Sequence, residues 1–173
     1  MLRALLLSVA LTLPFAAQAQ EAEPPMTVER LTDVLTALDP EVKVGPNIWE
    51  ARIADTTLLV VADPDNDRMR VMVPIGDAES LTPEELSRMM QANFDTALDG
   101  RYAIAQGLLW SVFIHPLGAL EKDELISGIG QVINLSDSFG TLYSGGFLSY
   151  GGGDSGALQR ALIDELLKRG EEI

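Results

Sequence analysis

Three short segments of β-type pattern, joined by tight turns, restrict the fold of this chain more than any other feature of its sequence. Apolar and polar residues alternate in Ile48–Ile53, residues 57–62 are continuously apolar, and residues 68–75 alternate again after a turn at 63–67. Alternation with a period of two is typical of strands, and turns this short join antiparallel neighbours. The continuous run predicts a central strand covered on both faces.

Two further strands are predicted later in the chain, at residues 102–106 and 108–115, and they meet at Gly107. Side chains alternate between the two faces of a strand, so Trp110 and Phe113 are predicted on opposite faces. By the same rule, Arg70 and Met72 share one face of the earlier strand. The pattern as a whole predicts an antiparallel sheet of about five strands.

Helices are predicted before, between and after these strands, from apolar residues at helical spacing. Thr82, Pro83 and Glu85 mark a helix start, because they supply an N-cap, a proline at the first helical position and a capping-box glutamate. The predicted helices cover residues 27–38, 82–98, about 121–140 and 156–168. Met89, Met90 and Phe94 of the second helix are interpreted as core residues, and an adaptable binding surface is the alternative. The predicted fold is α+β, in the order α-β-β-β-α-β-β-α with an added C-terminal helix.

Residues 1–19 have the pattern of a secretory signal peptide. Arg3 precedes an apolar run, and Ala17-Gln18-Ala19 fits the rule for a cleavage site. The run is shorter than the roughly 20 residues that a membrane-spanning helix needs, which argues against an anchor. We therefore expect a periplasmic or secreted protein without stable membrane insertion.

Four parts make up the predicted domain organisation: a signal peptide (1–19), an α+β domain (20–139), a Gly-rich linker (140–155) and a C-terminal helix (156–173). Glycine loses much conformational entropy on ordering, which is why 140–155 is interpreted as a linker. The final short helix needs a surface to cover its apolar stripe. Docking on its own domain is preferred, and docking on a partner or second subunit is the alternative.

Composition excludes several functional classes. The chain has 26 acidic and 12 basic residues and a net charge of −14, which argues against a nucleic acid partner. It contains no cysteine, so disulfides, thiolate metal sites and cysteine nucleophiles are excluded.

Asp63, Asp65 and Asp67 are similar to the opening of a calcium-binding loop, in which alternate carboxylates converge on a hard cation. Arg68 stands where such a loop needs glycine, and Pro74 stands where it needs glutamate. An ordinary turn between strands is therefore the preferred interpretation, and a weak cation site is the alternative.

Two Gly-rich motifs overlap in the tail. Gly153-Asp154-Ser155-Gly156 matches the nucleophile segment of trypsin-like proteases, but the chain is too short for their double barrel. The G-x-G-x-x-G spacing that starts at Gly151 is followed by too few residues for a βαβ unit. A role as the N-cap of the last helix explains Asp154 or Ser155 better than either of these motifs does.

His115 is the only histidine, and a histidine side chain can act as a general base near neutral pH. A small exported hydrolase that uses His115, with a nearby carboxylate or Ser155, is therefore the alternative function. A lone histidine before proline at a strand end is more often structural, and a zinc site needs further ligands. We assign no catalytic residue, no metal ligand and no cofactor.

The order of elements resembles the type III secretion chaperone-like fold, which includes the Tir-chaperone family and the YbjN-like sensory regulators. Residues 26–38, 48–75, 81–98, 102–115 and the helix from Glu121 carry the resemblance. It implies a noncatalytic protein, often a homodimer, that binds a segment of another polypeptide on its sheet and helix surfaces. The export signal and the Gly-rich tail depart from the secretion chaperones, which act in the cytosol.

The sequence thus predicts an exported, non-enzymatic α+β module that binds a protein or peptide and self-associates as a homodimer. The predicted sheet has more apolar surface than three or four short helices can cover. The predicted partner contacts are sheet residues: Trp49, Arg70, Met72, Trp110 and Phe113.

Overall fold

The computed structural model describes residues 23–95, 98–139 and 157–171. The helices in these ranges are α1 (Val28–Leu38), α2 (Pro83–Asp95), α3 (Lys122–Asp137) and α4 (Ala157–Gly170). The strands are β1 (Lys43–Gly45), β2 (Ile48–Ile53), β3 (Thr56–Asp63), β4 (Arg68–Asp77), β5 (Arg101–Ala105) and β6 (Leu108–His115). Short 3-10 turns at Pro64–Asn66 and Ala78–Ser80 precede and follow β4.

The six described strands form one antiparallel sheet in the order β1-β2-β3-β4-β6-β5. The predicted α+β class and the order of elements are confirmed. The sheet has six strands instead of about five, and the strand that was not predicted is β1, which is only three residues long. A segment that short shows no alternation by which it could be recognised.

The helix starts follow their capping residues. The Thr82 hydroxyl accepts a hydrogen bond from the Glu85 N–H at 3.2 Å, and the Glu85 carboxylate accepts one from the Thr82 N–H at 2.8 Å. This reciprocal pair is the predicted capping box of α2. At α1, Thr27 accepts from the Arg30 N–H at 3.2 Å, as its N-cap role requires.

One face of the sheet and one side of the helices form the main core. Alternate strand residues lie buried there, among them Trp49, Leu58, Val60, Met69, Val71 and Phe113. Helix residues that complete the core include Leu31, Leu35, Ile126, Ile129 and Ile133. A smaller cluster joins α2 to β5 and β6 through Met89, Ala92, Tyr102, Leu109 and Leu135.

The second face of β3 corrects one prediction. Leu59 and Val61, which point away from the core, stay half-buried, so the described chain covers β3 on one face only. The continuous apolar run is explained by an apolar sheet surface with no described helix on it. Periodicity alone does not separate this case from a strand buried on both faces.

The C-terminal helix packs on its own domain, as preferred. Leu166 is buried, and the Lys122 side chain donates to the Gly170 carbonyl at 2.6 Å. Gly130 of α3 allows a close approach, because a Cβ there would lie 2.7 Å from Ile163 Cγ1. The signal peptide, the Gly-rich linker and Ser155 lie outside the described residues, so the domain boundaries stay predictions.

Among the described helices, none combines the length and the apolar character needed to cross a bilayer.

Candidate functional site

The sheet face opposite the core is an apolar surface that the described helices leave uncovered. We call this surface the open face; it consists of the strand residues that alternate with the buried ones. Its apolar members are Ile48, Leu59, Val61, Met72, Pro74, Ala103, Ala105, Leu108, Trp110, Val112 and Ile114. Ile114 is 53% exposed and Ile48 42% exposed. An extended apolar patch of this kind is typical of an interaction surface.

A groove of about 520 Å³ runs across the middle of the open face. Strand register builds its floor, because Leu59 of β3 lies opposite Met72 of β4, which lies opposite Val112 of β6. Trp110 forms one side, and its indole Nε1 donates to the Ala105 carbonyl at 3.0 Å. This bond fixes the ring on the sheet and satisfies its only polar atom, so the remaining ring surface is available for apolar contact.

The open face carries positive charge on a strongly acidic chain. Its charged strand residues are the cations Lys43, Arg52, Arg68, Arg70 and Arg101 and the acids Glu50, Asp63 and Asp77. Five cations against three acids give this face a net charge of +2, whereas the whole chain has a net charge of −14.

Within the described residues, all three acids of the open face already have other partners, and Asp77 accepts a hydrogen bond from the Glu79 N–H at 2.9 Å. The Glu50 carboxylate hydrogen-bonds the Lys43 ammonium and raises the pKa of Lys43. Asp63 stands opposite Arg68 in the ladder, but its carboxylate accepts hydrogen bonds from Asn66, the shorter at 2.8 Å. Neither Arg68 nor Arg70 lies within 4.0 Å of a carboxylate in the part of the chain that the structure describes.

Three of the five predicted contact residues meet on the open face. Arg70, Met72 and Trp110 line the groove. Trp49 and Phe113 point to the other face, where Trp49 is 0% and Phe113 5% exposed, and both belong to the core. A role in partner contact therefore stays a prediction for the first three, and the two buried rings stabilise the fold.

A second apolar patch lies on α2, where the sequence predicted core residues. Met89 is buried, but Met90 is 58% and Phe94 70% exposed. Consecutive helix positions are turned by about 100°, so Met89 and Met90 do not share a face. Met90 and Phe94 are one turn apart and form a joint apolar surface, and the prediction that they lie in the core is wrong for the described residues.

The outer edge of β5 is blocked by a side chain. The Asn93 amide of α2 accepts from the Tyr102 N–H at 2.7 Å and donates to the Tyr102 carbonyl at 3.1 Å. A neighbouring strand would use the same two backbone groups. On the opposite edge, β1 is only three residues long and carries Lys43, and both features discourage strand addition. The edges therefore favour contact through the open face.

His115 lies at the end of β6, on the helix side of the sheet. Its Nδ1 is 2.8 Å from the Pro116 carbonyl oxygen, which can only accept, so Nδ1 carries the proton in the neutral ring. Nε2 then faces the Glu124 carboxylate at 3.9 Å, and the ring stacks on Phe113. His115 lines a cleft of about 800 Å³ that also includes Asp123 and Ser127.

The aspartate-rich turn is held by hydrogen bonds within the protein. Asp63 accepts from Asn66, and Asp67 accepts from the Gly118 N–H at 2.7 Å. Residues 64–66 form a 3-10 turn, as the preferred interpretation requires. Across the described residues, no group of three or more His, Asp or Glu side chains is placed to hold a metal ion.

No protein-family model and no curated protein sequence matches this chain. Several solved structures are similar to it, among them the following two. A chain of the HopA1–SchA chaperone–effector complex aligns with 63% of this chain and 91% of its own length, at 11% identity and a TM-score of 0.47. A chain of the Yersinia pestis type III secretion chaperone SycH in complex with a stable YscM2 fragment aligns with 62% and 97%, at 9% identity and 0.48. Likenesses at this level assign neither a family nor a function.

Proposed function

We propose that this protein is a non-enzymatic module that holds a segment of another polypeptide on its open face. The observation that supports the proposal most is the row Leu59, Met72 and Val112, with Trp110 beside it, on a face that the described helices leave uncovered. Burial of apolar surface stabilises a complex by about 25 cal/mol per Å² before the costs of association are subtracted. A groove of this composition supplies that term to an extended or helical segment.

Export is part of the proposal and is supported by the pattern of residues 1–19. The protein would then meet its partner in a periplasm or outside the cell. Cell fractionation and N-terminal sequencing of the purified protein test this step. We expect an N-terminus at Gln20, and an intact Met1 in a cytosolic fraction would contradict export.

Self-association as a homodimer is also proposed, and its support is the exposed pair Met90 and Phe94 on α2. Sedimentation velocity of the wild type and of Phe94→Glu tests it. We expect a dimer that the substitution converts to monomer, with unchanged circular dichroism. A wild type that stays monomeric at high concentration would contradict the dimer.

Site-specific photocrosslinking tests the binding function directly. A photoreactive amino acid replaces Met72 on the open face and, in a control variant, Glu165 on the exposed side of α4. We expect Met72 to yield a discrete polypeptide adduct in cells, and Trp110→Asp to reduce its yield at least tenfold. Equal adducts at both positions, or none at Met72, would contradict the proposal.

A small hydrolase remains the alternative, favoured by the position of His115 in a cleft 3.9 Å from Glu124. The Nδ1–H is taken by the Pro116 carbonyl, so the proton-accepting atom is Nε2. Hydrolysis of ester and peptide substrates by the wild type and by His115→Asn separates the two functions. The binding module predicts no turnover in either protein, and turnover that is lost in His115→Asn would establish the alternative.

A further inference from the structure

We propose that the polypeptide segment held on the open face is acidic as well as apolar, and that Arg68 and Arg70 bind its carboxylates. This inference rests on the proposed function and names the class of partner that the site selects. It is carried by the distribution of charge and by the position of the two guanidinium groups.

Charge is distributed unevenly over the molecule. The open face has five of the twelve basic residues of the chain and only three of its 26 acids. If the surface served only to keep an acidic protein in solution, it would be expected to share the excess of acids. Two of these cations, Arg68 and Arg70, line the apolar groove, and the one acid that lines it, Asp63, already accepts hydrogen bonds from Asn66. This arrangement favours a ligand with negative groups beside apolar ones.

Arg68 and Arg70 line the groove, where they can bind carboxylates of a bound segment. Arg68 and Arg70 are two positions apart on β4, so both point to the open face. Arg70 is flanked by apolar residues on both sides, because Val61 lies opposite it on β3 and Ile114 opposite it on β6. A guanidinium binds a carboxylate through two parallel hydrogen bonds, and contact becomes stronger as neighbouring apolar groups exclude water.

Other occupants fit this surface less well. Two open faces that met in a dimer would each bring a net charge of +2, and like charges repel across an interface. An anionic membrane would attract the open face but would repel the rest of a chain whose net charge is −14. A polypeptide with local carboxylates satisfies the face without either conflict.

Three synthetic peptides test the inference with the full-length protein. A segment of roughly eight residues crosses six strands that are about 4.8 Å apart, so each peptide has about this length. In all three, leucine, phenylalanine and two variable residues occupy alternate positions and so share one face of the extended segment, and the variable residues are glutamate, glutamine or lysine. Fluorescence anisotropy of the labelled peptides gives the dissociation constants. We expect the glutamate peptide to bind about tenfold more tightly than the glutamine peptide, and the lysine peptide to bind most weakly.

A matched pair of variants identifies the arginines. The double substitution Arg68→Gln and Arg70→Gln removes the two proposed contacts, and Arg88→Gln with Arg160→Gln removes the same charge from the exposed sides of α2 and α4. We expect the first variant to bind the glutamate peptide about tenfold more weakly and to lose its preference over glutamine. The control variant should keep both affinities.

Each outcome decides between the proposals. Peptides that bind equally through Trp110, without regard to charge, overturn the inference and leave the proposed function intact. If none of the three peptides binds, the proposed function fails, and the inference fails with it. Stronger binding to phosphatidylglycerol vesicles than to the glutamate peptide, lost in Arg68→Gln with Arg70→Gln, would overturn it in favour of a lipid surface. Self-association lost in the same variant would overturn it in favour of a second copy.

Discussion

Asn93 hydrogen-bonds both backbone polar groups of Tyr102, and in this way the side chain of a helix occupies the edge of strand β5. The oxygen of the amide accepts from the N–H at 2.7 Å, and its nitrogen donates to the carbonyl at 3.1 Å. An unprotected edge strand is a template for pairing with another chain. The contact therefore limits association through the edge, and the open face is left as the main surface for a partner.

The substitution Asn93→Leu should destabilise the protein and expose this edge. Loss of both hydrogen bonds at a half-buried position should lower the free energy of unfolding by about 1–2 kcal/mol. Urea unfolding gives this value, and sedimentation velocity should show concentration-dependent association. Ser87→Ala, on an exposed position of the same helix, is the control. An Asn93→Leu variant with wild-type stability and no new association would contradict the protective role.

Substitution of a buried amide in α3 should also destabilise the protein. Gln131 is 3% exposed, and its oxygen accepts from the N–H groups of Asp99 (2.8 Å) and Gly100 (3.0 Å). Gln131→Leu keeps the size of the side chain but leaves two donors without a partner. We therefore expect the free energy of unfolding to fall by about 2–3 kcal/mol. Thermal unfolding measures it, and a variant that unfolds at the wild-type temperature would show that water replaces the amide.

The free energy of unfolding should depend on pH through Glu23, which lies at the start of the described chain. A hydrogen bond from the Lys122 N–H, together with the Arg30 guanidinium, holds the pKa of Glu23 below its ordinary value of 4.5. Because the pKa is lower in the folded protein, the stabilisation is present above pH 4.5 and is lost as the pH falls through the folded pKa.

Glu23→Gln tests this dependence. The side chain is 35% exposed, so solvent screening limits the expected loss at neutral pH to about 0.5 kcal/mol. In a series of unfolding curves, the difference in free energy of unfolding between the variant and the wild type should disappear as the pH falls below 4.5. A difference that is constant from neutral to acid pH would show that ionisation of Glu23 is not the cause.

Matched aromatic substitutions should separate the two faces of the sheet. Trp49→Ala and Phe113→Ala empty core positions and should cost about 3–5 kcal/mol of unfolding free energy. Trp110→Ala, on the open face, should cost much less and should act mainly on binding of a polypeptide. Denaturant unfolding, compared with peptide anisotropy, measures both effects. A Trp110→Ala variant that binds normally would contradict the assigned role of the groove.

Local pattern predicted the elements and the side on which each strand residue lies. The alternation in β4 separates Arg70 and Met72 from the buried Met69 and Val71, as the structure confirms. Which side the helices cover is decided by packing between distant segments, and the local pattern does not contain it. For this reason the sequence predicts a partner contact at Trp49, whereas the structure buries this residue in the core.

Contacts between distant residues account for what sequence reasoning missed. Asn93 and Tyr102 are nine positions apart, and Gln131 and Asp99 are 32 apart, and neither pair forms a motif in the sequence. The concentration of cations on the open face was accessible in principle. The alternation already placed Arg68 and Arg70 on one side, and a count of charges by face would have shown it.

The most direct test of the central claim uses the two tryptophans of the chain. Trp49 is buried in the core and Trp110 lies in the groove, so the fluorescence of a Trp49→Phe variant reports on the open face alone. Acrylamide quenching is measured before and after the polypeptide partner, or the glutamate peptide, is bound. We predict that Trp110 is readily quenched in the free protein and strongly protected in the complex. If Trp110 is already protected in the free protein, or stays equally accessible after binding, the open face is not the binding surface.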